Sequence, residues 1–169
     1  AAAAYAEYSV GAQELPLVSV LPYTVATVLM PAFVEHWHAG QPRELLRVWH
    51  ASIVKVALVM LPVCVLLFVA ADAYVTVLFT ADYLRAAGPM RVYLLLLPLR
   101  VTAYGVVLQA LGDTRTVLEV SLIGLLLNAA GSAGGIAWLG FLGPSVATVA
   151  VQFVLVGLLL RRIGQHLRG

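Results

Sequence analysis

Residues Leu94–Arg115 read LLLLPLRVTAYGVVLQALGDTR, an apolar run as long as a membrane span with a single arginine, Arg100, in its middle. A helix needs about twenty predominantly apolar residues to cross the hydrocarbon core. Four more runs of that kind flank this one, so the sequence predicts spans at Leu15–Val34, Ile53–Ala71, Val92–Leu111, Val117–Trp138 and Pro144–Leu160. Backbone groups in lipid must bond within their own segment or close into a barrel. None of these runs has the alternating pattern of barrel strands, so the expected fold is all-α: a polytopic membrane helix bundle of about five transmembrane helices.

The composition agrees. Hydrophobic residues make up 62% of the 169 positions and charged residues 11%, with a mean hydropathy of +0.98. That is far from a soluble domain, which needs polar surface to cover its core. The net charge of +2 comes from arginines near segment ends. No basic run interleaved with aromatics is present, so nucleic acid is not an expected partner. The single cysteine, Cys64, lies in an apolar tract and has no partner for an internal disulfide.

The chain opens AAAAYAEYSVGAQELP, without an initiator Met or the basic, apolar and cleavage regions of a signal peptide. The expectation is a fragment: residues 1–14 form the external end of a preceding helix or turn, and 15–169 a five-helix unit. The connection 35–52 contains Gln41-Pro42, a helix start, followed by Arg43, Arg47 and His50 on one face. The connection 72–91 mixes Asp72, Tyr74, Asp82 and Tyr83 with apolar residues and predicts a short interfacial helical turn.

Five crossings put 35–52, 112–116 and the C-terminal tail on one side of the membrane. That side holds Arg43, Arg47, Lys55, Arg115, Arg161, Arg162 and Arg168, against Arg85 and Arg91 opposite, which predicts a cytoplasmic tail. Residues 1–14, with Glu7 and Glu14, then face outward, and at least one upstream helix is expected.

Prolines 16, 22 and 31 in the first span, and Pro62 and Pro98 later, remove helix hydrogen bonds and mark kinks or hinges. In the fourth span Ser121, Gly124, Asn128, Gly131 and Gly135 share one helical face, which predicts a close helix contact. Asn128 on that face either bonds across the contact or touches a ligand. Glu119, in the first turn of that helix, suits the positive dipole end. Glu35, His36, His38 and His50 lack metal-site spacing, and no nucleophile elbow, phosphate-binding glycine loop or carboxylate pair occurs, so neither metal nor enzymatic chemistry is expected.

Two patterns carry a resemblance. YSVGAQELPLVSVLPYTVATVLMPAF (Tyr8–Phe33) and ALGDTRTVLEVSLIGLLLNAAGS (Ala110–Ser132) resemble segments of polysaccharide and lipid-linked oligosaccharide flippases, of O-antigen or lipid II type, in the multidrug/oligosaccharidyl-lipid/polysaccharide superfamily. The turn at Gly143-Pro144-Ser145-Val146 departs from the family's usual small-residue helix start. The resemblance implies part of the C-terminal lobe of a two-lobe transporter of 12 to 14 helices in the bacterial cytoplasmic (inner) membrane. It implies no cofactor, and as partners an undecaprenyl-type lipid-linked diphosphate oligosaccharide, membrane lipids and an N-terminal lobe. Flipping by alternating access is the implied function, with a drug or cation exporter, or a glycosyl-polymer ligase or polymerase, as alternatives.

An intramembrane arginine is a site hypothesis by default, because facing hydrocarbon costs it about 3 kcal/mol or more. Read as one continuous helix, the third span buries Arg100 too deep for snorkelling. Arg100 is therefore expected either to form an internal ion pair or to grip a ligand, and the ligand that the resemblance implies is a diphosphate, which a guanidinium holds through two parallel hydrogen bonds. Tyr104, one turn on, and Gln109 join it as candidate substrate residues with Asn128, and Pro22 and Pro98 are the candidate hinges.

Overall fold

The structure, a computed structural model, describes residues 8–12 and 16–168, with side chains for 8–12 and 20–167. The expected 1–14 segment therefore falls largely outside the described residues, which retain a helical turn at 8–11. Helix α1 is Pro16–His38, α2 is Pro42–Val69, α3 is Ala71–Phe79, α4 is Ala87–Leu94, α5 is Tyr104–Ala110, α6 is Thr114–Leu139 and α7 is Gly143–Arg168. Short 3-10 turns occupy Ala81–Ala86, Leu97–Arg100 and Gly140–Leu142. No strand is present among the described residues.

Among the described residues two helical runs are long and apolar enough to cross a membrane, Pro42–Val69 and Thr114–Leu167. The bent pair Ala81–Leu94 and Leu97–Ala110 makes a third if counted as one span. Only 22% and 17% of the two apolar windows are buried in the structure, so most of their Leu, Ile and Val side chains face outward, where lipid suits them. The second run holds 54 residues. As one straight helix it would measure about 81 Å against a core of about 30 Å. It instead turns back at Gly140, which takes φ 58, so that α6 and α7 lie antiparallel.

The hairpin's register is read from its contacts. Asp113 meets His166, Asn128 bonds Thr148, and Gly124, Gly131 and Gly135 face Leu155, Ala147 and Gly143. The small-residue face expected in the fourth span is thus the seam with α7. A Cβ on Gly131 would lie 3.3 Å from that of Ala147, and one on Gly135 would lie 2.7 Å from the Gly143 carbonyl oxygen. Ser121 alone of the five stays exposed, bonding the Val117 carbonyl of its own helix.

Helix α2 begins at Pro42, whose missing N–H costs nothing in the first turn, and includes the interfacial segment together with the expected second span. Helix α1 runs unbroken through Pro22 and Pro31. Two apolar clusters hold the bundle. One joins Val56 and Met60 to Val75, Met90, Leu94, Leu97 and Val101. The other joins Phe33, Leu45 and Trp49 to Val107, Leu108 and Ile163. The chain passes from the first to the second between Val101 and Tyr104, and there the sequence expectation needs correcting.

Candidate functional site

The run Val92–Leu111 is not one helix. It ends as α4 at Leu94, resumes as a 3-10 turn and, after an irregular Val101–Ala103, continues as α5; the parts on either side are bent by 49°. Pro98 supplies the reason. It has no N–H to give the carbonyl four residues earlier, and it disfavours helical backbone at the residue before it. The orphaned acceptor is the Leu94 carbonyl, and the Cys64 thiol of α2 donates to it at 3.3 Å. Both the Leu99 and Arg100 amides then turn to the Leu96 carbonyl, each at 3.0 Å.

Downstream of the break the chain is pinned from α2. The indole Nε1 of buried Trp49 donates to the Thr102 hydroxyl at 3.0 Å, and its ring meets Tyr104 edge-on at 6.2 Å. Arg100 and Tyr104 therefore leave the break in fixed directions, towards a cavity of about 150 Å³. Pro22 and Tyr23 of α1 and Gln152 of α7 close it, opposite Leu99, Arg100 and Thr102. The cavity combines a guanidinium, two phenols, an amide and a hydroxyl with the irregular backbone of a broken helix. Such breaks are tolerated at membrane depth only where protein or water surrounds them, and they mark substrate sites in transporters.

Of the residues expected from sequence, the structure brings Pro22, Arg100 and Tyr104 together. Gln109 is exposed on α5. Asn128 lies in the α6–α7 seam, donating to the Thr148 hydroxyl at 3.2 Å and accepting from Ser132 at 3.2 Å. Pro98 is exposed at the start of the 3-10 turn and does not line the cavity. Thr102, Tyr23 and Gln152 were missed. Gln152 had a signal, as an amide within the apolar run Pro144–Leu160.

A second polar centre lies where the ends of α1, α5 and α7 meet the start of α6. Asp113 caps α6, accepting from the Thr116 amide at 3.2 Å, and pairs with Arg162 at 2.7 Å and His166 at 2.8 Å. These bonds, His166 first and Arg162 next, hold its carboxyl well below the usual carboxylate range. His166 also meets Trp37 edge-on at 6.3 Å. Other pairs serve corners of the fold: Arg91 bonds Asp72 at 2.8 Å and the Phe68 carbonyl at 3.2 Å, and Arg115 bonds Glu119 at 2.8 Å. No three His, Cys, Asp or Glu side chains among the described residues are grouped so as to hold a metal ion.

No curated protein and no solved structure matches the chain. The family model described as lipid II flippase MurJ does match it, over residues 1–169. With the match running the whole length of an all-helical membrane chain, the protein belongs to the lipid II flippase MurJ family.

Proposed function

We propose that the cavity at the broken helix is where this chain grips the diphosphate of its cargo, with Arg100 as the principal ligand. The chain is a transporter component, not an enzyme, and acts in membrane translocation of a lipid-linked precursor. The observation that carries the finer reading is the convergence of Arg100, Thr102, Tyr104 and Gln152 on one cavity at the break. A guanidinium matches a phosphate with two parallel N–H donors, whereas an ammonium offers only a point charge. The phenol, amide and hydroxyl supply further donors, and the undecaprenyl type of tail fits the family's lipid-linked substrate. Arg100 and Tyr104 carry the proposal; Gln109 and Asn128 have no place in the cavity, so no cargo contact is assigned to them.

The same reading makes the Pro98 break and Pro22 the yielding points in alternating access, since they flank the cavity from two helices. It places the α1–α2 turn and the end of α7 in the cytoplasm, supported by seven basic residues against two. An N-terminal lobe completes the transport path.

Replacing Arg100 in the full-length protein tests the reading. A hydrogen bond to a charged group contributes about 1.5–3 kcal/mol, so Arg100→Ala is expected to slow flipping about 10- to 100-fold with insertion and expression unchanged. Arg100→Lys keeps part of the rate. Unimpaired flipping by Arg100→Ala contradicts the assignment, and loss of the folded protein makes Arg100 a structural residue.

A further inference from the structure

On the other side of α1 from the Arg100 cavity lies a larger groove, about 600 Å³, between α1 and α2. Pro22 and Tyr23 point to the cavity, whereas Leu21, Thr24, Val25 and Val28 turn to the groove. From α2 the groove is lined along one face, from Arg47 to Val59. Its walls are apolar except for two hydroxyls, Thr24 and Ser52, and two cations, Arg47 and Lys55.

The cations are informative because of their surroundings. Arg47 gives its Nε to Glu44 at 2.8 Å, which leaves the terminal nitrogens of the guanidinium for a second anion. Lys55 has no ion-pair partner among the described residues, and it lies eight residues further into the apolar helix, about 12 Å along the axis. An ammonium at that depth reaches back towards the interface along its stem, where an anion is a favourable neighbour. Beyond Lys55 the apolar wall continues through Val56 and Val59 of α2 and along Leu21, Val25 and Val28 of α1, a stretch of α1 about 10 Å long. A cationic end followed by an apolar wall fits a bilayer phospholipid with a negative headgroup and the upper part of an acyl chain.

We infer that the α1–α2 groove binds one anionic phospholipid of the leaflet on the side of the α1–α2 turn, its phosphate between Arg47 and Lys55 and an acyl chain along Val28 and Val59. The site is independent of the Arg100 reading, since no lining residue is shared.

The test uses the full-length protein in phosphatidylcholine vesicles, with a fluorophore on Val28→Cys, an exposed groove position. Brominated phosphatidylglycerol is expected to quench it more than brominated phosphatidylcholine at equal mole fraction. Each cation removed, by Arg47→Gln or Lys55→Gln, should lower that selectivity about fivefold, equivalent to ~1 kcal/mol per basic residue; Lys55→Arg should retain it. A fluorophore on Leu126→Cys, on the outward face of α6, should show no selectivity. Equal quenching by the two lipids overturns the inference, as does selectivity unchanged in the two glutamine variants. Quenching by neither lipid means protein covers the groove. Loss of selectivity on adding a stoichiometric polyprenyl diphosphate gives the groove to the cargo's tail instead. Either result also overturns it.

Discussion

Neutralising Asp113 without changing its shape separates its two roles. As Asn it still accepts from the Thr116 amide and so still caps α6, but it no longer attracts Arg162 and His166. Loss of a cap costs about 1 kcal/mol. The ion pair with Arg162, whose side chain is 47% exposed, is screened and contributes about 0.5–1 kcal/mol. Asp113→Asn is therefore expected to lose ~1 kcal/mol and Asp113→Ala about twice that, read as thermal unfolding of the full-length protein in detergent. The pH dependence has a definite sign. The folded carboxyl is held below its unfolded value of about 3.9, so its contribution is fully present above that value and disappears as pH falls through the folded one. The gap between wild type and Asp113→Asn should narrow as pH falls below about 4. Equal stability of wild type and Asp113→Asn at pH 7, or a gap that widens below about pH 4, would refute the argument.

Two other predictions concern the hairpin and the topology. Gly131→Leu forces a branched side chain into a seam where even a Cβ sits 3.3 Å from Ala147, and should cost about 1–3 kcal/mol. Leu126→Phe, on a side chain 71% exposed on the outward face, should be tolerated; equal losses would place the seam elsewhere. In intact cells, cysteines at Ser9 and Leu142 should react with an impermeant reagent added outside while one at Gln165 should not. Labelling of Gln165→Cys alone would invert the orientation.

The sequence made the helical segments legible because apolar length is a strong signal in a membrane chain, and the Ser121–Gly135 face because its spacing survives in any helix. The 54-residue run folds at Gly140, within the glycine-containing stretch 139–143 that separates the fourth and fifth expected spans. The break at Arg100 was hidden for a definite reason. Pro98 alone bends many membrane helices without ending them. Here the break that Pro98 starts is held open from α2, where Cys64 and Trp49, thirty and fifty-three residues away, satisfy the Leu94 carbonyl and hold Thr102. Those bonds are tertiary and have no local signature. The same holds for the cavity: Arg100 and Tyr104 could be singled out by charge and spacing, but Tyr23 and Gln152 join them only through the packing of α1 and α7. Gln109 lies five residues after Tyr104, which in a helix puts it on another face, and α5 exposes it. The exporter and the ligase or polymerase considered from the sequence receive no support from the family match.

The central claim is that Arg100 recognises a diphosphate, and binding tests it more directly than transport. The measurement is the affinity of the full-length protein, by native mass spectrometry, for a polyprenyl diphosphate and its monophosphate counterpart, with and without Arg100→Ala. Wild type should prefer the diphosphate about tenfold or more, the value of one charge-assisted hydrogen bond, and Arg100→Ala should bind the two alike. A preference that survives intact in Arg100→Ala would contradict the account.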